Sequence, residues 1–326
     1  MSILSKIKKT VIDLSGKSAA GEMFYYRAKY GSAKIMRALL GEEGYAKWFY
    51  HLYTGKRLNL EKPQTFNEKG WWLKLHNHNP LMTKCSDKFL AREYVKECGY
   101  EDILIPQYGC YTSVDELDFS KYQEPVVVKC THNSGGHVFY DPSRGMSEKE
   151  IREAKKRLRF ILKQNASVLS LEWNYKNIQP RIIVEKMILE KDGEIPTDYD
   201  FFCFDGEPKI VSVDYGVVNL SNDSVKHTRN IYDTDFKLLP VKWYRENNPD
   251  ADGKPENFER MVEIARKLSR PFPMVRVDLY NVSGQIFFGE MTFYHGGCCQ
   301  NIEPEEWEKK LGSWIDLNSP KIVRRK

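Results

Sequence analysis

Residues 275–293, VRVDLYNVSGQIFFGEMTF, constrain the fold more than any other stretch of this 326-residue chain. Two runs of β-branched and aromatic residues flank Val282-Ser283-Gly284, which reads as a three-residue hairpin loop with glycine at the left-handed position. That loop pairs Asn281 with Gln285, so Arg276 is expected opposite Glu290 and Asp278 opposite Phe288. Because side chains alternate along a strand, Arg276, Asp278, Glu290 and Thr292 then share one face. An exposed acidic hairpin is the plain alternative. Asp278 sits inside VRVDLY, however, and Glu290 inside IFFGEMTF, where burying an unpaired charge is costly without a cation or an arginine partner. Two carboxylates with the Thr292 hydroxyl are hard oxygen donors suited to Mg2+ bridging triphosphate oxygens.

The rest of the chain mixes helices and strands. Residues 1–80 read as mainly helical and aromatic, with Tyr25, Tyr26, Tyr30, Trp48, Phe49, Tyr50, Trp71 and Trp72, and end at the break from His76 to Pro80. The helix DKFLAREYVKEC carries Leu90, Tyr94, Val95 and Cys98 on one stripe and is stopped by Gly99 before ILIPQYG. PVVVKC is a short buried strand, THNSGG supplies turn residues, and a helix follows over SEKEIREAKKRLRFIL, where Ser147 and Glu150 form a capping box. RIIVEKMI, YDFFCF and PKIVSVDYG read as consecutive strands, and NFERMVEIARKL as a helix with Phe258, Met261, Val262, Ala265 and Leu268 on one face. This order indicates α+β layers rather than a regular βαβ array.

Lys and Arg number 50 against 45 Asp and Glu, which falls short of the basic stripe of a dedicated nucleic-acid binder. The cysteines, at 85, 98, 110, 130, 203, 298 and 299, include no C-x-x-C, and their scatter through apolar strands suits free core thiols in a reducing cytosol. Cys298 next to Cys299 has no explanation at this level. The chain has no run of about eighteen apolar residues, the length needed to cross a bilayer, and a cytoplasmic location is expected. At the amino terminus Ile3, Leu4, Ile7, Val11 and Leu14 recur near helical spacing with Lys6, Lys8 and Lys9 between them. A helix packed on its own protein is the first expectation there, and weak contact with a membrane surface the second.

Lys129 ends its strand and is followed by Ser134, Gly135 and Gly136, whose backbone amides can wrap phosphate oxygens beside the ammonium. Alone, this is equally a plain hairpin turn, and the G-x-x-x-x-G-K-[ST] phosphate loop is missing. His76 and His78, like His132 and His137, lack a metal framework, although His137 stands close to the glycine loop.

Taken in order, these elements resemble the ATP-grasp superfamily and, within it, the group similar to the teichuronopeptide biosynthesis protein TupA. The resemblance runs from about residue 60 to the end and rests on SDKFLAREYV leading to IPQYG, PVVVKCTHNSGG, RIIVEKMI, DYDFFCFDGEPKI, NFERMVEIARKLS, VRVDLYN and GEMTF. It implies an α+β ATP-grasp fold, two α+β lobes with ATP between them, preceded by the mainly helical region 1–80. The ATP-grasp domain would occupy 81–326, as a connecting part (81–124), a glycine-loop lobe (125–188) and a metal-site lobe (189–326). By the same resemblance Lys88 and Lys129 are aimed at ATP phosphates, which Ser134, Gly135 and Gly136 cover. Glu185, Met187 and Ile188 match the hinge that meets adenine through its backbone and ribose through a carboxylate, and Asp278 and Glu290 match the metal carboxylates. Thr292 stands where many members have asparagine, and Asp200 where lysine is expected in many of the TupA-like group. Lys226 and Arg229 lie where basic residues flank the transferred phosphate.

The implied activity is that of a carboxylate-amine ligase using ATP and Mg2+, in which an acylphosphate is formed and an amine displaces phosphate from it. Arg276 would hold the developing oxyanion. The implied substrates are a uronic acid of a bacterial capsular or cell-surface polysaccharide and an amino acid or small amine, with no nucleic acid involved. The same parts would serve a kinase acting on a sugar hydroxyl. Asp198-Tyr199-Asp200 and Asp233-Thr234-Asp235 also match the D-x-D pattern of nucleotide-sugar glycosyltransferases, and a nucleotide-binding regulator would keep the lysines without needing both Asp278 and Glu290.

Overall fold

Alternation within the strands decides which surfaces are buried. In DYDFFCF, Phe201 packs on Phe258 with ring centroids 5.7 Å apart, and the next residue, Phe202, turns to the opposite face against Trp243 at 4.6 Å. The computed structural model describes residues 19–133, 135–217, 227–251 and 253–324, so the lysine-rich segment 2–14, Ser134 and Lys226 lie outside the described residues.

Two antiparallel sheets result. The first has the order β1-β4-β2-β3, from β1 (Gln107–Tyr111), β2 (Val126–Cys130), β3 (Val138–Tyr140) and β4 (Ile182–Lys186). The second has the order β10-β9-β5-β6-β7, from β5 (Asp198–Phe204), β6 (Glu207–Tyr215), β7 (Thr228–Asp233), β9 (Met274–Val282) and β10 (Gln285–Thr292). The short pair β8 (Lys242–Trp243) and β11 (Ile302–Glu303) stands apart. Strand β3, directly after the glycine loop, was not expected: VFY is too short to show a period.

Each sheet has its own core. Helix Glu148–Leu162 begins at the Ser147/Glu150 capping box and lays Ala154, Leu158 and Ile161 on Val126, Val128, Ile182 and Val184. Helix Phe258–Ser269 packs Phe258, Met261, Ile264, Ala265 and Leu268 on Phe201, Val211, Val213, Val277 and Leu279. The amino-terminal helices, Ala19–Thr54 (broken at Gly41, φ 68°) and Phe66–His76, join this second core through Tyr45, Tyr50, Phe66 and Trp71 rather than forming one of their own. They cover one end of the second sheet's other face, where Phe66 meets Phe202 and Phe204. The opposite end of that face, with Asp198 and Asp200, is left open toward the first sheet.

Cys298 is a buried thiol lying where a side chain on Gly70 would collide with its Sγ, at 2.3 Å, and its carbonyl accepts from Trp71 Nε1 at 3.1 Å. Cys110, by contrast, is exposed on edge strand β1.

The β9–β10 register differs from the expected one. The turn has two residues, Ser283 and Gly284, with φ of 50° and 86°, so Gln285 pairs with Val282 instead of Asn281. A two-residue turn alone would set Glu290 beside Val277, on the face that packs against the helix. A bulge at Gly289 corrects this: beyond it Glu290 lies directly opposite Asp278, and Thr292 opposite Arg276. A Cβ on Gly289 would lie 3.0 Å from the Asp278 carbonyl oxygen and 3.3 Å from the Tyr280 ring. Gly289→Val is therefore expected to lower stability by about 1–3 kcal/mol through overpacking, read as a shifted denaturant midpoint. An unchanged midpoint would show that the bulge does not need glycine.

Candidate active site

Strand pairing carries polar side chains across the open face of the second sheet. Glu290, Asp278, Asp200 and Ser212 lie side by side on β10, β9, β5 and β6, and Tyr280, Asp198, Asp214 and Arg229 form the next row on β9, β5, β6 and β7. Opposite stand Lys129 on β2, Glu185 on β4, Lys88 ahead of helix Leu90–Glu97, and His137 after the glycine loop. Between the two sheets is a cavity of about 350 Å3, within the size range of small-molecule sites.

Its charges are arranged in pairs. Lys88 Nζ lies 2.5 Å from Glu290 Oε2, tying the segment before helix Leu90–Glu97 to the second sheet. Glu185 is held by Arg92 at 3.2 Å and by Lys129 at 3.1 Å. Arg276 grips Asp278 with two prongs, Nε to Oδ1 at 2.7 Å and Nη2 to Oδ2 at 2.5 Å, while its Nη1 lies 3.1 Å from Asp200 Oδ2. Thr292 Oγ1 accepts from Arg276 Nη2 at 3.1 Å and stands 3.2 Å from Asp278 and 3.3 Å from Glu290. Arg229 grips Asp214 in the same way, with Nε at 2.9 Å and Nη2 at 2.8 Å. His295 bridges the two arginines, its Nε2 3.1 Å from Arg229 Nη1 and its Nδ1 against Arg276 Nη1. Burial and both guanidiniums hold His295 well below the usual histidine range, so it is neutral and can accept from only one arginine at a time.

The acids are unevenly balanced. Lys88 draws Glu290 down to about 2. Burial pushes Asp278 up to about 6 despite Arg276, with Glu290 adding to the rise. Burial beside Asp200 and Asp214 pushes Asp198 up to about 8. Asp214 stays below the carboxylate range, since bonds from His227 and Arg229 outweigh its burial. On this face five carboxylates (Asp198, Asp200, Asp214, Asp278, Glu290) stand against three cations (Lys88, Arg229, Arg276), and with Glu185, Arg92 and Lys129 opposite the count is six acids to five cations, an excess of acid that Asp198 and Asp278 relieve by holding their protons more tightly. That surplus fits a divalent cation. Among the described residues no three acidic, imidazole or thiol groups stand close enough to hold an ion unaided. Asp278 and Glu290, opposite one another, do fit Mg2+, which takes one or two carboxylates and completes its shell with phosphate oxygens.

A pH dependence of stability follows. For Asp198 and Asp278, protonated more readily in the folded than in the unfolded chain, the stability they contribute is complete below the ordinary Asp range and lost as pH rises through about 6 and about 8. Glu290, shifted the other way, contributes stability present above the ordinary Glu range and lost as pH falls toward about 2. The ligand-free protein is expected to melt several degrees lower at about pH 9 than at about pH 5. A flat melting profile over that interval would contradict the surplus of buried acid.

Of the residues singled out in the sequence, Lys88, Lys129, Gly135, Glu185, Met187, Ile188, Arg229, Arg276, Asp278 and Glu290 line the cavity, and Thr292 backs the acid pair. Gly136 does not line it: at φ 74° its missing side chain makes room for Ile161. Three of the lining residues stand in contacts that the sequence did not show: Glu185 is bound to two cations, the Met187 amide donates to Pro125 O at 2.9 Å, and Arg276 is paired with Asp278 and Asp200. Asp200 therefore has a partner in Arg276, which accounts for an acid where lysine was expected. Asp233 caps its own turn by accepting from the Asp235 and Lys237 amides, so the second D-x-D triplet is structural. Sequence reasoning missed Arg92, Asp214, His227 and His295. Asp214 was findable, since it shares its strand face with Ser212 in PKIVSVDYG; His295 carries no pattern.

A family model described as TupA-like ATPgrasp matches residues 68–316. The comparison with curated proteins found no match. Among solved structures the chain is similar to an L-amino acid ligase from Bacillus licheniformis, at 15% identity over 67% of this chain and 46% of that one, with a TM-score of 0.41. It is similar also to D-alanine-D-alanine ligases from Helicobacter pylori (15% identity, 72% and 60% covered, TM-score 0.38) and Bacillus anthracis (18% identity, 74% and 69% covered, TM-score 0.40). The match spans less than two thirds of the first two of these proteins, 46% and 60%.

Proposed function

This chain belongs to the TupA-like ATP-grasp family, and from that premise we propose that it is an ATP-dependent carboxylate-amine ligase that joins an amino acid or small amine to a uronic acid of a bacterial capsular or cell-surface polysaccharide. The observation that carries this reading is the cavity between two sheets, with Lys88 and Lys129 on one wall and the facing Asp278 and Glu290 on the other. ATP lies between the sheets, its adenine edge at the Ile188 backbone and its phosphates at Lys88, Lys129 and the Gly135 turn. A carboxylate oxygen of the acid attacks the γ-phosphorus, the bond to the β-phosphate oxygen breaks, and ADP leaves. The amine nitrogen then attacks the acylphosphate carbon, and phosphate departs with the electron pair of the C–O bond.

An acylphosphate hydrolyses in water, which is the reason to form it in an enclosed cavity. Mg2+ held by Asp278 and Glu290 would offset charge on the triphosphate. Arg276, fixed by Asp278 and Asp200, presents positive charge toward the reacting carboxyl without having to reorganise, and Arg229 does the same near the transferred phosphate. ATP as substrate supports a cytoplasmic location.

The test is ADP release by the purified chain with MgATP, over a panel of free and glycosidic uronic acids against amines, with hydroxylamine as trap. Acid-dependent hydroxamate supports the ligase. ADP release with a sugar alone, leaving a stable phosphate ester, would make the protein a kinase instead.

A further inference from the structure

Beside Arg229, at the end of the row of polar residues that passes through Asp198, stands a group for which the ligase reading has given no task. His227, just before β7, lines the cavity, and its Nε2 lies 2.6 Å from Asp214 Oδ1. Asp214 is itself fixed, accepting from Ser212 Oγ at 2.9 Å as well as from Arg229. Against a carboxylate, Nε2 carries the imidazole proton, which leaves Nδ1 with a lone pair. Nδ1 has no hydrogen-bond partner among the described residues. A carboxylate that fixes the tautomer and orientation of a histidine whose other nitrogen faces substrate is the arrangement of a general base.

We propose that His227, oriented by Asp214, is the general base of amide formation, which assigns this end of the cavity to the amine. The assignment rests on the ligase reading. The amine arrives as an ammonium and first gives one proton to His227 Nδ1, which passes it to water and so frees the lone pair. As that lone pair forms the C–N bond and the carbonyl carbon's bond to phosphate oxygen breaks, the nitrogen becomes acidic, and its second proton passes to His227 Nδ1 and from there to the departing phosphate or to water.

Charge supports the same direction of entry. Asp198 stands next to Asp214 across β5 and β6, without an ion pair among the described residues, and Asp200 follows two residues on. Burial beside these acids raises the Asp198 carboxyl to about 8, the mark of a carboxylate without its cation, which an incoming ammonium supplies. The lysines that would attract anions are on the opposite wall. Among the described residues, the charged and titratable groups here are Asp214, which His227 touches, Arg229 and Asp198 beside Asp214, and, through Arg229, His295.

The experiment compares two nucleophiles on the full chain with MgATP and a uronic acid, glucuronate and galacturonate being the first probes. Hydroxylamine is uncharged near neutral pH and needs little help from a base, whereas glycine arrives as an ammonium. In His227→Gln the ratio of glycine to hydroxylamine product is expected to fall about 100-fold, the lower end of what a general base supplies. A ratio within about 3-fold of wild type overturns the proposal. If the wild type makes hydroxamate from no uronic acid, the ligase reading itself fails and this assignment with it, an outcome distinct from an unchanged ratio. Should His227→Gln melt far below the wild type, His227→Asn is compared by the same ratio.

Discussion

Glu290→Gln is expected to lower Mg2+-dependent ADP formation by about 1,000-fold or more while leaving the chain folded. A divalent cation contributes several kcal/mol to stabilising phosphoryl-transfer charge, and about 4 kcal/mol is already three orders of magnitude. Glu290 stands where three effects meet: it faces Asp278 across β9 and β10, takes Lys88 Nζ at 2.5 Å, and lies within 3.3 Å of the Thr292 hydroxyl. The amide keeps the volume and loses the charge, so Asp278 alone would have to hold the ion. Folding should survive, because removing the Glu290 charge also removes a repulsion that raises Asp278. Lys88 would lose its partner but not its place at the ATP phosphates. The measurement is ADP release, with thermal stabilisation by MgATP as the binding readout. Turnover within about 3-fold of wild type would show that the metal, if required, is held elsewhere.

The strand alternation that put Arg276, Asp278, Glu290 and Thr292 on one face was legible from VRVDLYNVSGQIFFGEMTF, although the register used to reach it was not. Val282 was counted as loop because a three-residue turn also ends in glycine. Two deviations cancel in parity: the turn is one residue shorter, and Gly289 inserts one residue as a bulge. A lone glycine in a strand marks a bulge or a close backbone approach, and Gly289 shows both. The lysines and the hinge were legible as residue types in order, but their partners were not. Lys88 and Glu290 are 202 positions apart, and nothing local in DKFLAREY shows that its lysine reaches a carboxylate on another sheet. Glu185 is a second case: its partner Arg92 stands on a helix that the local pattern does not connect to β4. His227 and His295 were passed over because a histidine is informative only once its neighbours are known.

Arg276→Ala is expected to produce the largest loss of stability of any single substitution at the site, about 3–5 kcal/mol at neutral pH. Against a typical total of about 5–15 kcal/mol, that leaves a marginal fold. The reason is geometric: Asp200 and Asp278 are opposite each other on β5 and β9, only 5% and 6% exposed, and Arg276 is the cation between them. Without it two carboxylates are buried face to face, and burial already raises both in its presence. Removing the guanidinium raises them further, so the penalty is full at high pH and is relieved as pH falls and they protonate in the folded state. The variant should therefore recover much of its stability between about pH 8 and pH 5, a larger gain than the wild type shows over the same interval. Arg276→Lys, with one point charge in place of a two-pronged grip, should fall between the two. Combining Arg276→Met with Asp200→Asn and Asp278→Asn removes charge from both sides and should restore a stable but inactive chain, because it is the uncompensated charge, not the loss of the ion pair, that destabilises. Denaturant unfolding of these three variants at the two pH values decides the matter: an Arg276→Ala chain within about 1 kcal/mol of wild type at pH 8 would mean that Lys88 or another cation already neutralises the pair, and the charge surplus that supports the metal reading would have to be recounted.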